Sequence, residues 1–436
     1  MRVTFAPLLR RGRRSLMAEQ ASALSPYRVL DLTKEIGQYA GRCFAEMGAE
    51  VIKVEPPAGD AVRRIGPFFH DEAKPDRSLL WFVLNASKKG ITLDVEQPDG
   101  RALLRKLIAK SDLVLESYPP GYLKQLGIDQ EALRKEHSKL VWVSVTGFGQ
   151  DGPYRTYKWS DIVGQALGGL LYLWGEADRP PALPRAAQGY YHASMAAALA
   201  GMVALRHARR TGRGQYADVS MQEVITFVLA GPGGTTGYWS QQGMNITRSG
   251  SGINLGHLIS RTIYPCQGGF VAVSTLFGPH FPRLLDLMQR DGAAGFLAED
   301  PKWRSATRFA PLPGQWRCDQ ADADAAEGLF SQWLMRYTRD EIMKLAGEHE
   351  LMIFPVLNVP DNLPSEHLKA RDYWQQIEHK DLDATVTYPG PPLKLSATPW
   401  RVRGRAPLLG EHNAEVFGEI GVAKGELEKL RAAGVV

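Results

Sequence analysis

From Tyr27 onward the hydrophobic positions follow two alternating rhythms. Short apolar and β-branched runs recur: "YRVLDLT" at 27–33, "EVIKVE" at 50–55, "ITLDV" at 91–95, "DLVLESY" at 112–118 and "KLVWVSV" at 139–145. Most are near-continuous, the pattern of a strand covered on both faces. Between them stand "GRCFAEMGA", "GRALLRKLIAKS" and a shorter stretch near "YLKQLGI", which read as helices. Strands and helices alternating at this spacing predict βαβ units and a parallel sheet. The first strand–loop–helix, with Lys34 to Gln38 in its loop, is where such sheets hold phosphates, beside a helix N-terminus.

Past residue 157 the rhythm becomes helical. Residues 188–209, "QGYYHASMAAALAGMVALRHAR", are small and apolar enough for a closely packed helix. "YADVSM" adds one strand, residues 229–257 are glycine-rich and loop-like, and "RTIYPCQGGFVAVSTL" reads as a hairpin. Helices continue to about residue 375. The pattern predicts a large domain over 27–225, a smaller α+β domain over 226–375, and a proline-rich strap over 376–436 returning to the large domain. The segment 1–26 holds five arginines and no acid before Glu19. It reads as a disordered extension upstream of a start at Met17, with a transit-like segment as the other reading.

Composition narrows the function. Hydrophobic residues make up 44% and charged residues 23%, ordinary for a globular chain with a large core. The net charge of +5 sits on 52 basic and 47 acidic residues, too small an excess to indicate nucleic acid but compatible with an anionic small molecule. Three scattered cysteines without a CxxC argue against a disulfide framework or a zinc site, and "EHE" at 348–350 lacks the i, i+4 spacing of helical metal ligands. No metal is expected. A reducing, cytoplasmic setting is expected, and no apolar run approaches the ~18 residues of a membrane span.

One residue stands out against this background. In "YKWSDIVGQALGGLLYLWG", residues 157–175, Asp161 is the only acid. Two readings fit it. Ser160 can cap a helix whose dipole favours an Asp in its first turn. Alternatively, the carboxylate is a nucleophile in a pocket lined by Tyr157, Trp159 and nearby glycines, able to form an anhydride or a thioester and split one hard acyl transfer into easier steps.

A series of blocks then weighs on that choice. "RVLDLT", "GAEVIKVEPPAGDAVR", "LNASKKGITLDV", "SDLVLESYPPGYLKQLGI", "SVTGFGQDGPY", "TGRGQYADVSMQE", "YPGPPLKLSATP" and "APLLGEHNAEVFGEIG" follow one another in order over nearly everything after residue 26. Together they resemble the family III CoA-transferases, the CaiB/BaiF group of formyl-CoA and carnitine CoA-transferases. In that family a catalytic Asp follows the "GFGxxGPY" block and precedes "QAxxGL"; here that position is Asp161. The resemblance implies a Rossmann-like large domain with a smaller α+β domain, and an interlocked homodimer. It implies transfer of CoA from a donor acyl-CoA to a carboxylic acid through aspartyl anhydride and aspartyl-CoA thioester intermediates. Coenzyme A is then a substrate, and no permanently bound cofactor is expected.

The resemblance also implies a binding surface. Lys34 and Gln38 occupy the first loop, where the family holds the pantetheine and phosphates; Arg63 matches the Arg of "GDxxR", and Lys88 and Lys89 match a basic pair, cationic groups suited to phosphates. A solvated turn before "GITLDV" is an equal reading for the two lysines. Tyr118 keeps a ring for the adenine, while Ser117 stands where an Asn is expected, and Pro56 and Gln125 replace basic residues. Gly250 and Gly252 in "SGSGINLGH" lie near the position of a glycine loop that covers the reacting carboxylate and excludes water. Tyr172, Trp174, Tyr190, Tyr191, Tyr238 and Trp239 are either aromatic surface for a bulky acid or core residues. Two alternatives accompany this reading. The family's 2-methylacyl-CoA racemases place His before this Asp and a second Asp further on. Here those positions are Ser160 and about Gly189, with His192 nearby as an unsupported substitute. The other alternative is a non-catalytic subunit of a heteromeric transferase.

Overall fold

The computed structural model describes residues 22–229, 239–241, 243–254, 258–274, 276–277, 280–307 and 313–436. Residues 1–21 of the expected extension, Tyr238, and residues 255–257 of the glycine stretch lie outside them. The described residues of the N-terminal segment, 22–26, are tied to the fold: the Leu24 N–H donates to the Met47 carbonyl, and Leu24 is buried.

The chain divides into two compact units. One takes the described residues up to Val145 together with Ser194–Asp218 and Asp372–Val436; the other takes Thr146–Ala193 and Val219–Arg371. This differs from the expected 27–225 and 226–375 at residues 146–193 and 219–225, which group with the second unit, and at 372–375, which group with the first. The reason is packing: the helix Asp161–Leu167 lies against the helix Met221–Val228, where Gly164 and Gly168 leave room for Met221 and Ile225.

The first unit is built on a six-stranded sheet: β1 (Arg28–Leu32), β2 (Glu50–Glu55), β3 (Lys89–Thr92), β4 (Leu113–Glu116), β5 (Val141–Thr146) and β6 (Tyr216–Ser220). Their order is β3-β2-β1-β4-β5-β6, and the first five run parallel. Each expected strand is present. The near-continuous apolar runs follow from burial on both faces: Val29, Leu30, Ile52, Val114 and Val143 are fully enclosed. The helices Gln38–Glu46, Pro98–Ala109 and Gln188–Thr211 match the expected ones, whereas Leu79–Asn85 and Gln130–Glu136 were not read from the pattern. The former starts at Ser78, whose hydroxyl accepts from the Trp81 N–H.

The C-terminal segment is more structured than a strap. It opens with the antiparallel hairpin Trp374–His379 and Ala384–Pro389, runs without regular structure through 390–412, and ends in the helices Asn413–Glu419 and Lys424–Ala432. Val416, Phe417 and Val435 join the core formed by Leu104, Ile91 and Trp142.

The second unit packs helices against a small antiparallel sheet. The expected hairpin forms from β9 (Ile263–Cys266) and β10 (Gly269–Val273), joined on the other side of β10 by the strand Ile353–Pro355. Just before it, β7 (Gly252–Asn254) pairs antiparallel with β8 (Ile259–Arg261). Tyr264, Val271, Phe281, Phe330 and Trp333 form its core. Among the described residues the three cysteines are free and buried, no helix is long and apolar enough to cross a membrane, and no group of side chains could hold a metal ion.

Candidate active site

The strand order reverses between β1 and β4, and in open α/β sheets ligands bind outside the strand ends at that point. The residues following both strands meet there. The Lys34 N–H donates to Ser117 Oγ at 2.7 Å, and Lys34 Nζ lies 5.5 Å from the centre of the Tyr118 ring. Tyr118 stacks on Tyr122 with centroids 5.2 Å apart. Lys34 is exposed and Tyr118 half-buried, so a cation and a ring face are presented together. Ser117, a departure from the expected Asn, joins the two loops instead. Beneath them Glu116 is buried; burial lifts its carboxyl to about 7, although it accepts from the Tyr118 N–H at 2.7 Å.

Three other expected ligands, Gln38, Arg63 and Lys88, are buried. Lys88 is fully buried, and its ammonium donates to Asp31 at 2.8 Å, to the Gln38 carbonyl at 2.7 Å and to Asn85 Oδ1 at 2.8 Å. Burial draws Lys88 down to about 8 against the pull of Asp31. Burial would raise the Asp31 carboxyl, but Lys88 and Lys53 more than offset it and hold it below its usual range. Gln38 bridges Asn85 and Asp60, each at 3.0 Å. Arg63 forks onto Glu55 at 2.6 and 2.8 Å, reaches Asp76 at 2.6 Å, and stacks 3.8 Å from the Trp81 ring. Lys89 is partly exposed and bonded to Glu50 at 2.6 Å and Glu415 at 2.7 Å. Three of the five expected cations and amides at this edge therefore organise the loop from below, which residue type alone could not reveal.

In the second unit Asp161 opens the helix Asp161–Leu167, where the first-turn N–H groups favour a negative charge. Ser160 occupies the cap position, yet its side chain makes no capping bond. The carboxylate is held at both oxygens: Gln165 Nε2 donates to Oδ2 at 2.6 Å and the Tyr190 N–H donates to Oδ1 at 3.1 Å. Gln165 is completely buried. It stands four residues on, the spacing at which helical Asp and Gln side chains meet, and that spacing was the signal in the sequence that went unused. Trp159 meets Tyr190 edge-on at 6.0 Å beside the carboxylate. Tyr157 is exposed. The arrangement leaves a half-buried carboxylate with a fixed rotamer, the requirement for a nucleophile in a near-attack geometry.

The second acid of a racemase is expected near Gly189. A Cβ there would stand 3.0 Å from Asp161 Oδ1 and 3.0 Å from Met221 Sδ, so the absence of a side chain is what lets the carboxylate sit as it does. His192 is turned into its own helix, its Nδ1 2.6 Å from the Gln188 carbonyl. Gly189→Ala should therefore push the carboxylate aside and lower kcat about 10- to 100-fold with KM little changed. Steady-state kinetics would check this, and an unchanged kcat would show that the site tolerates the shift.

The glycine segment docks beyond this helix. Gly250 adopts φ 60°, and a Cβ there would lie 1.9 Å from a Glu176 carboxylate oxygen. Its N–H donates to the Gly175 carbonyl at 3.0 Å, and Arg248 donates to the Glu176 and Arg179 carbonyls. Gly252 pairs with Arg261 in the β7–β8 hairpin. The structure thus brings Gly250 onto the segment that follows the Asp161 helix, while Gly252 lies in the hairpin beside Arg261.

The chain thus carries a switch-point loop in one unit and a braced carboxylate in the other. The sequence model of "CoA-transferase family III" matches residues 24–413, and the chain belongs to that family. It is 34% identical over 423 residues to a succinyl-CoA:(R)-benzylsuccinate CoA-transferase subunit of Thauera aromatica, covering 94% of this chain and 98% of that one. It is 32% identical to the succinyl-CoA–L-malate CoA-transferase alpha subunit of Chloroflexus aurantiacus, covering 95% and 92%. The fold matches the crystal structure of a CaiB/BaiF family protein from Brucella suis with a TM-score of 0.76 at 26% identity, covering 92% of this chain and 100% of that one. These relatives make it a CoA-transferase of the CaiB/BaiF fold.

Proposed function

We propose that this chain moves CoA between two carboxylic acids by covalent relay through Asp161. The observation that carries the reading is the carboxylate held at both oxygens by Gln165 and the Tyr190 N–H. An Asp161 oxygen attacks the thioester carbon of the donor; the C–S bond breaks and CoA leaves as thiolate, giving an aspartyl–acyl anhydride. The thiolate attacks the Asp161 carbonyl carbon, the anhydride C–O bond breaks, and the donor acid departs as a carboxylate. An aspartyl-CoA thioester remains. The acceptor carboxylate attacks it, and the same two steps run in reverse release a new acyl-CoA and free Asp161. Protons balance without a general base, because carboxylates and thiolate carry the charge throughout.

In this reading Tyr118 and Lys34 meet the adenine and phosphate end of CoA, and Lys88, Gln38 and Arg63 fix the loop that presents them. Gly250 and Gly252 belong to the cover that keeps water from the anhydride, and backbone N–H groups near it stabilise the oxyanions. The named relatives support succinyl-CoA as donor and a substituted succinate as acceptor. The solvent-facing rings of Tyr172 and Trp174 suit such a substituent. A homodimer completes the reading, supported by an exposed apolar row four residues apart on the helix 188–211: Met195, Leu199 and Val203. Two relatives are described as subunits, which favours a second reading, a chain that works beside another family member.

One experiment separates these. Purified alone and incubated with succinyl-CoA but no acceptor, the chain should yield a hydroxamate at Asp161 on adding hydroxylamine, found by peptide mass spectrometry. Labelling at Glu176 or Asp178 would move the nucleophile. Labelling only after a second family chain is added would make this one a subunit. Active enzyme with no label after rapid quenching would end the covalent mechanism.

A further inference from the structure

The β7–β8 hairpin is short, three residues to a strand, and a pair of strands alone is marginal in water. β8 pairs with β7 on one edge, leaving Ile259 and Arg261 facing away with unpaired backbone groups that would ordinarily need another strand. No strand is there. Instead, the helix Gln320–Leu334 supplies two side chains seven residues apart, two helical turns along one face. Gln320 Oε1 accepts from the Ile259 N–H at 2.7 Å, and its Nε2 donates back to the Ile259 carbonyl at 3.2 Å, the pair of hydrogen bonds that a strand residue would make. Glu327 Oε1 accepts from the Arg261 N–H at 2.9 Å.

Glu327 is an unexpected residue for that place. It is 8% exposed in a helix face otherwise occupied by Ala323, Ala326 and Phe330. Burial lifts its carboxyl to about 7, so the site is costly for a carboxylate. Its neighbours are Arg261, Asp324 and the Tyr264 hydroxyl, which also donates to the Arg261 carbonyl at 3.2 Å. An apolar residue would fill the space more cheaply but would leave the Arg261 N–H unpaired. The clamp continues toward the glycines: the Thr262 and Ile263 N–H groups donate to the Ser251 carbonyl at 2.8 and 3.0 Å, and Gly252 stands opposite Arg261. Gly250, two residues away, is the one pressed against Glu176.

We propose that Gln320 and Glu327 are positioning residues for CoA transfer: acting as a surrogate strand, they hold the β7–β8 hairpin and so set where the glycine cover lies. This rests on the transferase reading for its effect on chemistry, though not for the clamp itself. A loosened cover admits water to the anhydride, which then partitions to hydrolysis rather than transfer.

The test compares Glu327→Ala, Glu327→Gln and Gln320→Ala with the wild-type chain. Glu327→Gln retains a carbonyl acceptor for the Arg261 N–H. Amide hydrogen exchange in Gly252–Asn254 and Ile259–Arg261 should speed up about tenfold or more in the two alanine variants and stay near wild type in Glu327→Gln. With succinyl-CoA and an acceptor, the ratio of hydrolysis to transfer should rise about tenfold in the alanine variants and be restored in Glu327→Gln, while KM for succinyl-CoA moves less than twofold or so. Gln320→Ala carries the test if Glu327→Ala fails to fold. Unchanged exchange in the folded alanine variants overturns the clamp. Faster exchange with an unchanged partition ratio overturns the positioning role. A wild-type chain that transfers no CoA sinks the transferase reading instead, and the exchange arm still decides the clamp.

Discussion

Asp161→Asn is expected to lower CoA transfer by at least ~10³-fold, roughly 4 kcal/mol of barrier, while the chain stays folded. The substitution is nearly isosteric. The amide oxygen can still accept from the Tyr190 N–H, now 3.1 Å from Oδ1. Gln165 can turn its own amide so that Oε1, which has no partner among the described residues, accepts from the new Nδ2–H. Geometry and packing are thus retained, and only the nucleophilic oxygen pair is lost, because an amide does not attack a thioester. Asp161→Ala should be equally inactive, with the Gln165 amide left unpaired. CoA exchange assays beside circular dichroism would check both. A variant retaining more than about a tenth of the wild-type rate would remove Asp161 from the nucleophile role.

Lys88→Met is expected to cost stability rather than affinity, about 3–5 kcal/mol, because it leaves Asp31 charged and buried without its partner. The ammonium supplies three bonds of 2.7–2.8 Å inside the sheet edge, and both side chains of the pair are fully enclosed. The sign of its pH dependence follows from Asp31. In the wild-type chain the Asp31 carboxyl is held below its unfolded value, so its contribution is present at neutral pH and lost as the pH falls through the folded value. In the variant, burial acts with Lys88 gone, the carboxyl rises, and protonation relieves the buried charge. The gap between the two proteins should therefore be widest near neutral pH and narrow on acidification. Urea unfolding at several pH values would measure it. A phosphate-binding Lys88 gives the opposite result: a raised KM for acyl-CoA with stability changed by less than about 0.5 kcal/mol.

These two residues differ in what the chain alone says of them. A lone carboxylate in an aromatic, glycine-rich stretch is explained as readily by a helix start as by chemistry, and it is the place of Asp161 among the family blocks, fixed by order, that makes it the candidate nucleophile. Lys88 and Arg63 were read as cations for phosphates, since a sequence gives a charge but not its direction. Their partners are Asp31, 57 residues before Lys88, and Glu55 and Asp76 on either side of Arg63. Gln320 and Glu327 were invisible for the same reason: the strand they complete lies 61 and 66 residues away.

The sequence by itself determined the strands of the first unit and the helices Gln38–Glu46, Pro98–Ala109 and Gln188–Thr211, because burial on both faces writes a continuous apolar run and helices write a period of 3.6. It also determined the β9–β10 hairpin, through a glycine pair between β-rich runs. Only the tertiary structure decided that residues 146–193 belong with the second unit, that the C-terminal segment forms a hairpin and two helices, and which polar side chains face inward. Those outcomes depend on contacts between residues far apart in the chain, and a buried charge is tolerated only where such a distant partner meets it.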